Sequence, residues 1–192
     1  MPVIGLTGLY ASGKSHIAEI FKGMGAKVQD SDKVSHQILE ESFDQIAKEF
    51  PNAVQDNSIS RKKLGEEVFS ESKKLKTLEA IIHPKVRKRN LEFIEANKNE
   101  LVVLEIPLLF ETKAEAICDY VVFVNVSHET QNHRALARPG MTPKKLQRIL
   151  DSQTKISVKD KIARSHFVIE NNPTDNATAQ VKKVIETIGS KA

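Results

Sequence analysis

The clearest chemical pattern lies near the N-terminus, where Gly8-Leu9-Tyr10-Ala11-Ser12-Gly13-Lys14-Ser15 matches G-x-x-x-x-G-K-[ST] at every fixed position. The two glycines let the backbone approach anionic oxygens closely, because neither carries a side chain. Lys14 can reach the β- and γ-phosphates of a nucleotide, and the Ser15 hydroxyl can hold Mg²⁺. Backbone N–H groups and the N-terminus of a following helix face the same phosphates. The pattern therefore predicts a phosphate-binding loop that holds nucleotide and metal together.

Four acidic residues are candidates for the remaining chemistry. Asp30 and Asp32 follow one short predicted strand. Glu105 lies near the end of a second, more apolar strand, and Glu111 follows it. Ligands bind at the carboxyl ends of parallel strands, where a carboxylate could accept a hydroxyl proton or help hold hydrated Mg²⁺. Capping of the next helix by Ser31 or Asp32 is the alternative after the first of these strands, and an ion pair is the alternative for Glu105 and Glu111. Which of Asp30, Glu105 and Glu111 assists the metal stays open.

The segments around the loop supply the elements that must position it. Residues 3–7 form an apolar run typical of a buried strand, and apolar residues recur at helical spacing from Ile17 to Met24. This strand-loop-helix context disfavours the alternative of an ordinary glycine-rich turn. Similar runs predict further strands, which are 26–29, 101–106, 120–126 and 167–169.

Residues 40–99 have helical periodicity and predict an insert between the second and third strands. Ser58 or Ser60 is expected to start one of its helices. His83 and Pro84 interrupt the pattern, and Pro84 suits the first turn of a further helix. A histidine before a proline is ordinarily structural, so the pattern alone assigns His83 no chemistry.

A second helical segment follows the fourth strand. Gln131, Arg134 and Arg138 are spaced at i, i+3 and i+7, so they are expected to share one helix face. A turn at 139–143 leads into another helix from Lys144. The guanidinium group of arginine is planar, permanently charged and suited to binding phosphate. The two arginine-containing helices and the turn between them therefore predict a lid that closes over the site. A solvated, charged hairpin is the alternative.

Composition limits the class of protein. With 192 residues, one α/β domain with small inserts is expected. A single cysteine, Cys118, excludes an intramolecular disulfide and a cysteine metal cluster. The apolar run at 101–110 is interrupted by Glu105 and Pro107, so no membrane span is expected, and without a signal-peptide pattern the default location is the cytoplasm. The net charge of +4 could reflect nucleic-acid binding, steering of a polyanionic substrate or solvated helix faces.

Taken together, the motifs closely resemble those of the dephospho-CoA kinase family. The resemblance extends over nearly the whole chain, and its most specific parts are the P-L-L-F-E and H-P segments. The matching stretches are 4–15, Asp30-Ser31-Asp32, Ile82-His83-Pro84-Lys85-Val86-Arg87, Ile106-Pro107-Leu108-Leu109-Phe110-Glu111, Q-x-x-R-x-x-x-R at 131–138, R-I-x-x-x-Q at 148–153 and V-I-x-N at 168–171.

The resemblance implies an α/β P-loop kinase fold with a five-stranded parallel sheet flanked by helices, a helical substrate-binding insert and a helical lid. Residues 1–192 would form one kinase unit. Its core would be 1–39 with 100–130 and 165–192, its CoA-side domain 40–99 and its lid 131–164. The implied reaction is transfer of the γ-phosphoryl group of ATP, with Mg²⁺, to the 3′-hydroxyl of dephospho-CoA.

The same resemblance implies roles residue by residue. Asp32 would be the base for the 3′-hydroxyl, and Lys14 and Arg138 would act on the transferring phosphate, with Ser15 as the metal ligand. The remaining implied contacts fall into two groups. The nucleotide would contact Gly8, Ala11, Ser12, Gly13, Lys14, Ser15, His16, Arg134 and Asn171. The substrate would contact Asp32, His83, Arg87, Leu108, Leu109 and Phe110.

The sequence departs from the family pattern in four places. His16 stands where Thr is usual, Leu9-Tyr10 stands where a glycine and a small or aliphatic residue are common, Ser165-His166 replaces Ala-Asp, and Glu105 replaces a frequent Asp. None removes a group that the chemistry requires, although the bulk at Leu9-Tyr10 affects the expected path of the loop.

Other functions remain possible on the same fold. They are phosphorylation of another nucleoside or nucleotide, nucleotide binding without catalysis, and RNA association, which the lack of an aromatic stacking platform disfavours. The expected partner is the small molecule dephospho-CoA, without nucleic acid or membrane, and the expected assembly is a monomer or weak homo-oligomer.

Overall fold

A computed structural model describes residues 1–153 and 155–190, apart from the side chains of Phe69 and Ser70. The chain divides into two compact units, Met1–Asp30 with Phe93–Ala192, and Ser31–Glu92. The second unit therefore begins and ends earlier in the chain than the 40–99 expected for the CoA-side domain. The assignment of a CoA-side function to that segment stays a prediction.

The first unit contains the predicted five-stranded parallel sheet. Its order is β2-β5-β1-β6-β7, so the strand that leads into the phosphate-binding loop lies at the centre. The strands are β1 (Val3–Gly8), β2 (Lys27–Asp30), β5 (Val102–Glu105), β6 (Tyr120–Asn125) and β7 (Phe167–Glu170).

Successive residues of a strand point to opposite faces of the sheet, so β1 contributes buried apolar side chains to both faces. Ile4 and Leu6 of β1 pack with Ile17 and Phe21 of the first helix on one face, whereas Val3 packs with a different buried cluster on the other. The helices of the first unit are α1 (Lys14–Gly23), α6 (His128–Leu136), α7 (Pro143–Gln153), α8 (Val158–Ala163) and α9 (Ala177–Gly189).

The second unit is mostly helical and has its own apolar core, which includes Ile38, Ile46 and Phe50. Ser60 caps one helix, because its hydroxyl accepts a hydrogen bond from the Lys63 amide at 3.5 Å. The elements are α2 (Ser31–Glu41), α3 (Phe43–Glu49), the strands β3 (Val54–Gln55) and β4 (Ser58–Ile59), α4 (Arg61–Ser70) and α5 (Ser72–Ala96), which extends four residues beyond the unit.

The expected helix break at Pro84 is wrong, because helix α5 continues through this residue. A proline in a helix interior removes one backbone hydrogen bond, here the bond to the Ala80 carbonyl. Ala80 is exposed, so water can bond to that carbonyl. Ile81, Ile82 and Val86 pack in the same apolar cluster, which holds the turns before and after Pro84 in one helix.

The lid expected at 131–164 contains helices as predicted, with one correction. Helix α6 ends at Leu136, so Arg138 does not share a helix face with Gln131 and Arg134. It lies instead in the connection to α7. The short helix α8 was not predicted from the sequence.

Candidate active site

The phosphate-binding loop follows the central strand β1 and has a backbone path that requires its glycines. Gly13 has φ 89°, in the left-handed region, and a Cβ there would collide with the Asn171 amide. A Cβ at Gly8 would lie 2.6 Å from the Val124 carbonyl oxygen. Ala11 also has a positive φ, 60°, although it carries a side chain. Such strain of about 1–2 kcal/mol persists only where surrounding contacts enforce it.

Two side chains from distant parts of the sequence hold the loop by one carbonyl group. Asn171, which follows β7, donates its amide N–H to the Ser12 carbonyl at 2.8 Å, and Arg134 of α6 donates to the same oxygen at 3.4 Å. The Ser12 hydroxyl is buried and has no hydrogen-bond partner among the described residues. An unpaired buried hydroxyl costs free energy unless a ligand satisfies it, so this oxygen fits a loop that binds polar atoms.

Lys14 lies across the loop. Its ammonium donates to the carbonyl oxygens of Gly8 at 3.0 Å and Leu9 at 3.1 Å. Helix α1 begins at Lys14 and has no side-chain cap, so its first N–H groups are left for a ligand. The loop, the lysine and the helix N-terminus together provide the donors that an anionic phosphate needs.

Ser15 and Glu105 form the pair best suited to a metal. The Ser15 hydroxyl donates to a Glu105 carboxylate oxygen at 2.8 Å, and Glu105 pairs in register with Asp30 on β2. Glu111 is held elsewhere by an ion pair with Lys161 at 2.6 Å. Within the described residues no group of three His, Cys, Asp or Glu side chains could hold a metal alone. The donors present fit Mg²⁺, which uses one or two carboxylates together with phosphate oxygens and water.

A cleft of about 440 Å³ adjoins the loop. His16, Arg134 and Asn171 line it, together with residues 172–178. Three of the residues expected to bind nucleotide are therefore brought to one cavity. Because Asn171 already binds the Ser12 carbonyl, its amide supports the loop as well as lining the cleft.

Three residues of the segment predicted to be a lid contact Tyr10, in the middle of the loop. The Tyr10 amide donates to the Gln153 side-chain oxygen at 2.8 Å, and its carbonyl accepts from the Gln131 amide at 2.8 Å. The Arg138 guanidinium lies over the Tyr10 ring, 4.6 Å from its centroid. Sequence reasoning did not assign Tyr10 a role. The sequence signal that could have indicated these contacts was the pair of glutamines, Gln131 and Gln153, in the two motif segments.

The residues expected on the substrate side differ in exposure. In the first unit, Leu108 is 39% exposed, whereas Leu109 and Phe110 are buried in an apolar cluster. Phe110 also contacts the Arg164 guanidinium, 4.5 Å from its ring centroid. The structure thus leaves Leu108 at the surface of this segment and uses its two neighbours for packing.

The other expected substrate residues belong to the second unit. Asp32 is exposed in the first turn of α2, and His83 and Arg87 are exposed one helical turn apart on α5. Ser31, next to Asp32, is buried with its hydroxyl 3.4 Å from the Asn90 side chain. This contact joins the start of α2 to α5 and fixes the backbone that carries Asp32.

Cys118 does not contribute a nucleophile to the site. Burial, together with the nearby carboxylates of Asp119 and Glu115, raises the pKa of its thiol to about 12. A nucleophilic cysteine reacts as the thiolate, which this thiol does not form near neutral pH.

In the described part of the chain, none of the helices is both long and apolar enough to cross a membrane.

The parallel sheet and the loop with its lysine and serine define a P-loop kinase. A family model described as dephospho-CoA kinase matches residues 2–176. The dephospho-CoA kinase of Rhodopseudomonas palustris (strain HaA2) is 38% identical over 191 residues, covering 97% of this chain and 95% of the relative. The chain belongs to the dephospho-CoA kinase family, which catalyses the last step of CoA biosynthesis.

Solved structures agree with this assignment. Dephospho-CoA kinase from Campylobacter jejuni superposes with a TM-score of 0.74 at 31% identity, covering 98% of both chains. Shikimate kinase from Acinetobacter baumannii, at 19% identity and a TM-score of 0.52, covers all of this chain and 94% of its own and shares the fold. The predicted fold class is confirmed.

Proposed function

We propose that the protein transfers the γ-phosphoryl group of ATP to the ribose 3′-hydroxyl of dephospho-CoA, giving CoA and ADP. The observation that carries this proposal is the phosphate-binding loop with Lys14 across it and Ser15 bonded to Glu105, in a chain of this family. The 3′-oxygen forms a bond to the γ-phosphorus as the bond to the bridging oxygen of ADP breaks.

Phosphoryl transfer depends mainly on positioning and charge stabilisation. The loop N–H groups, Lys14 and the start of α1 bind the phosphates in this proposal, and Ser15 and Glu105 are the side chains that would hold Mg²⁺. A bound magnesium ion supplies neutralisation of charge on the phosphate oxygens. Arg138 approaches the transferring group from the lid, and Asn171 and Arg134 place the adenosine part in the cleft that they line.

The base and two of the substrate contacts are assigned to residues of the second unit. Asp32 accepts the proton of the 3′-hydroxyl, and His83 and Arg87 bind the substrate. Leu108, a residue of the first unit, is assigned as an exposed apolar contact of the substrate. These roles rest on the family resemblance at those positions. The exposure of Asp32, His83 and Arg87 supports them, because exposed groups are accessible to a ligand.

The direct test is incubation of the purified protein with dephospho-CoA and Mg-ATP, followed by chromatography for CoA. We expect CoA and ADP in equal amounts. Lys14→Ala should abolish most turnover and keep the far-ultraviolet circular dichroism, since its charge acts on phosphate. Phosphorylation of other nucleosides in a substrate panel, without CoA, would contradict the proposal.

Asp32 is tested by comparison with Asp30. Asp32→Asn keeps the shape of the side chain but removes the base, so kcat should fall by about 10²–10⁴-fold. Asp30→Asn is the matched control and should affect kcat less. If Asp30→Asn is the more damaging change, the base has been assigned to the wrong carboxylate. If Asp32→Asn lowers the melting temperature and leaves kcat intact, its role is to stabilise the first turn of α2, where a negative charge interacts favourably with the helix N-terminus.

A further inference from the structure

Tyr10 occupies a loop position where the family commonly has a small or aliphatic residue, and the structure surrounds it with the lid. The side chains of Gln153 and Gln131 bind its amide and carbonyl groups, both at 2.8 Å. These two bonds involve only the Tyr10 backbone, so any residue other than proline could make them. They fix the loop against helices α6 and α7 without help from the tyrosine ring.

The ring makes a separate set of contacts. It packs against a small buried cluster of Ala11, Ala135 and Leu146, against which Met141 and Leu150 also pack. Its face lies under the Arg138 guanidinium at 4.6 Å from the centroid. An aliphatic residue could fill the apolar space, but only an aromatic ring attracts a cation through its π-face.

Arg138 depends on this ring for its position. The residue is exposed and lies outside helix α6, so its backbone connection alone does not fix the side chain. Across residues 1–153 and 155–190, no carboxylate lies within ion-pair distance of the Arg138 guanidinium. Within the described ranges, the ring face of Tyr10 is the side-chain contact that the structure shows for this guanidinium.

We propose that Tyr10 is a positioning residue whose ring holds Arg138 over the loop before the phosphoryl group is transferred. The inference rests on the proposed function, since it assumes that Arg138 acts on the transferring phosphate. A side chain held near its working position loses less conformational freedom when it acts, which lowers the barrier. Tyr10 itself touches neither phosphate nor substrate in this role.

The expected effect follows from the strength of such a contact. Cation–π pairs at exposed sites contribute about 0.5–1 kcal/mol, which is about two- to fivefold in rate. Tyr10→Leu should lower kcat by that factor and change KM for dephospho-CoA by less than twofold. Tyr10→Phe, which keeps the ring face, should have wild-type kcat. A purely structural role would lower the melting temperature of Tyr10→Leu without this separation of kcat from KM.

A double-mutant cycle links the effect to Arg138. In an Arg138→Ala background, Tyr10→Leu should cause no further loss of kcat, because the group that it positions has been removed. The proposal is overturned if the two losses multiply. It is also overturned if Tyr10→Phe is as slow as Tyr10→Leu, or if Tyr10→Leu is as fast as the wild type.

Tyrosine fluorescence tests the contact without any reaction. The chain has two tyrosines and no tryptophan, so Tyr120→Phe leaves Tyr10 as the sole emitter. Adding Arg138→Ala to this variant should raise the acrylamide quenching constant of Tyr10, whereas Lys144→Ala, at another exposed lid cation, should not. Equal quenching in both overturns the stacking contact. If the wild type makes no CoA but quenching behaves as expected, the proposed function fails and the contact stands.

Discussion

The two ends of the predicted lid, residues 131–164, hold their cations in different ways. Near the phosphate-binding loop, Arg134 contacts the Ser12 carbonyl and Arg138 contacts the Tyr10 ring. At the other end, Lys161 and Arg164 are paired with carboxylates. The pairs are Lys161 with Glu111 and Arg164 with Glu115.

This difference separates cations that can serve a ligand from cations that stabilise the fold. A carbonyl group or a ring face leaves the positive charge of an arginine uncompensated, so that charge can still attract phosphate. A carboxylate partner neutralises the charge locally. We therefore expect substitutions at the loop end to change kinetics and those at the far end to change stability.

The largest effect is expected at Lys161. Its side chain is 4% exposed, and its ammonium binds the Glu111 carboxylate and the Gln153 carbonyl, both at 2.6 Å. Removing one partner of a buried pair costs about 3–5 kcal/mol, because the other charge stays buried. Lys161→Met should lower the free energy of unfolding by that amount in urea titrations.

Lys159, exposed on the same helix α8, provides the matched control. Lys159→Met should change the free energy of unfolding by less than about 0.5 kcal/mol. Combining Lys161→Met with Glu111→Gln should restore part of the lost stability, since the buried charge is then removed. If Lys161→Met and Lys159→Met have the same free energy of unfolding, the ion pair of Lys161 does not stabilise the fold, and the proposed difference between the two ends of the predicted lid is wrong.

The second largest effect is expected at Arg138. Loss of one group that stabilises transition-state charge typically costs about 10²–10³-fold in kcat. Arg138→Ala should show a loss of this size, with a smaller change in KM for ATP and a free energy of unfolding within about 1 kcal/mol of wild type, the contribution of its ring contact. Steady-state kinetics and urea titration on the same preparation measure both. If Arg138→Ala lowers the free energy of unfolding and leaves kcat unchanged, Arg138 stabilises the fold as Lys161 and Arg164 do and has no part in catalysis.

Much of the first unit was predictable because its signals are local. The phosphate loop is contiguous in sequence, and short apolar runs indicated all five strands of the sheet. The position of Arg138 was not predictable in this way, since helix α6 ends two residues before it. Its contact with Tyr10 joins residues far apart in the chain, and no periodicity indicates such a pair.

The second unit was less predictable, for two physical reasons. Pro84 was expected to begin a helix, but packing of Ile82 and Val86 on one core overrides its local preference. The β3-β4 hairpin was missed, although Asp56 and Asn57 carried a signal for it. Both have positive φ, 49° and 55°, as a two-residue type I′ turn requires.

A smaller kinetic effect is expected at Arg134, which binds the Ser12 carbonyl at 3.4 Å and lines the cleft next to the loop. Its long bond and partial exposure suggest a loss near the lower end of the range for charged hydrogen bonds, about 1.5 kcal/mol or roughly tenfold. Arg134→Ala should raise KM for ATP by that factor and reduce kcat less. Arg148→Ala, at an exposed arginine of α7, is the control. If both variants behave alike, the carbonyl contact has no part in nucleotide binding.

The smallest effect is expected at Arg164, whose surroundings look most like those of Arg138 because both guanidinium groups lie over an aromatic ring. Arg164 differs in being paired with Glu115, and its side chain is 44% exposed. An exposed ion pair and a cation–π contact together contribute about 1 kcal/mol. Arg164→Gln should therefore lower the free energy of unfolding by about that amount and leave kcat within twofold of wild type. A kcat loss as large as that of Arg138→Ala would mean that the aromatic contact, and not the missing carboxylate, marks a functional lid arginine.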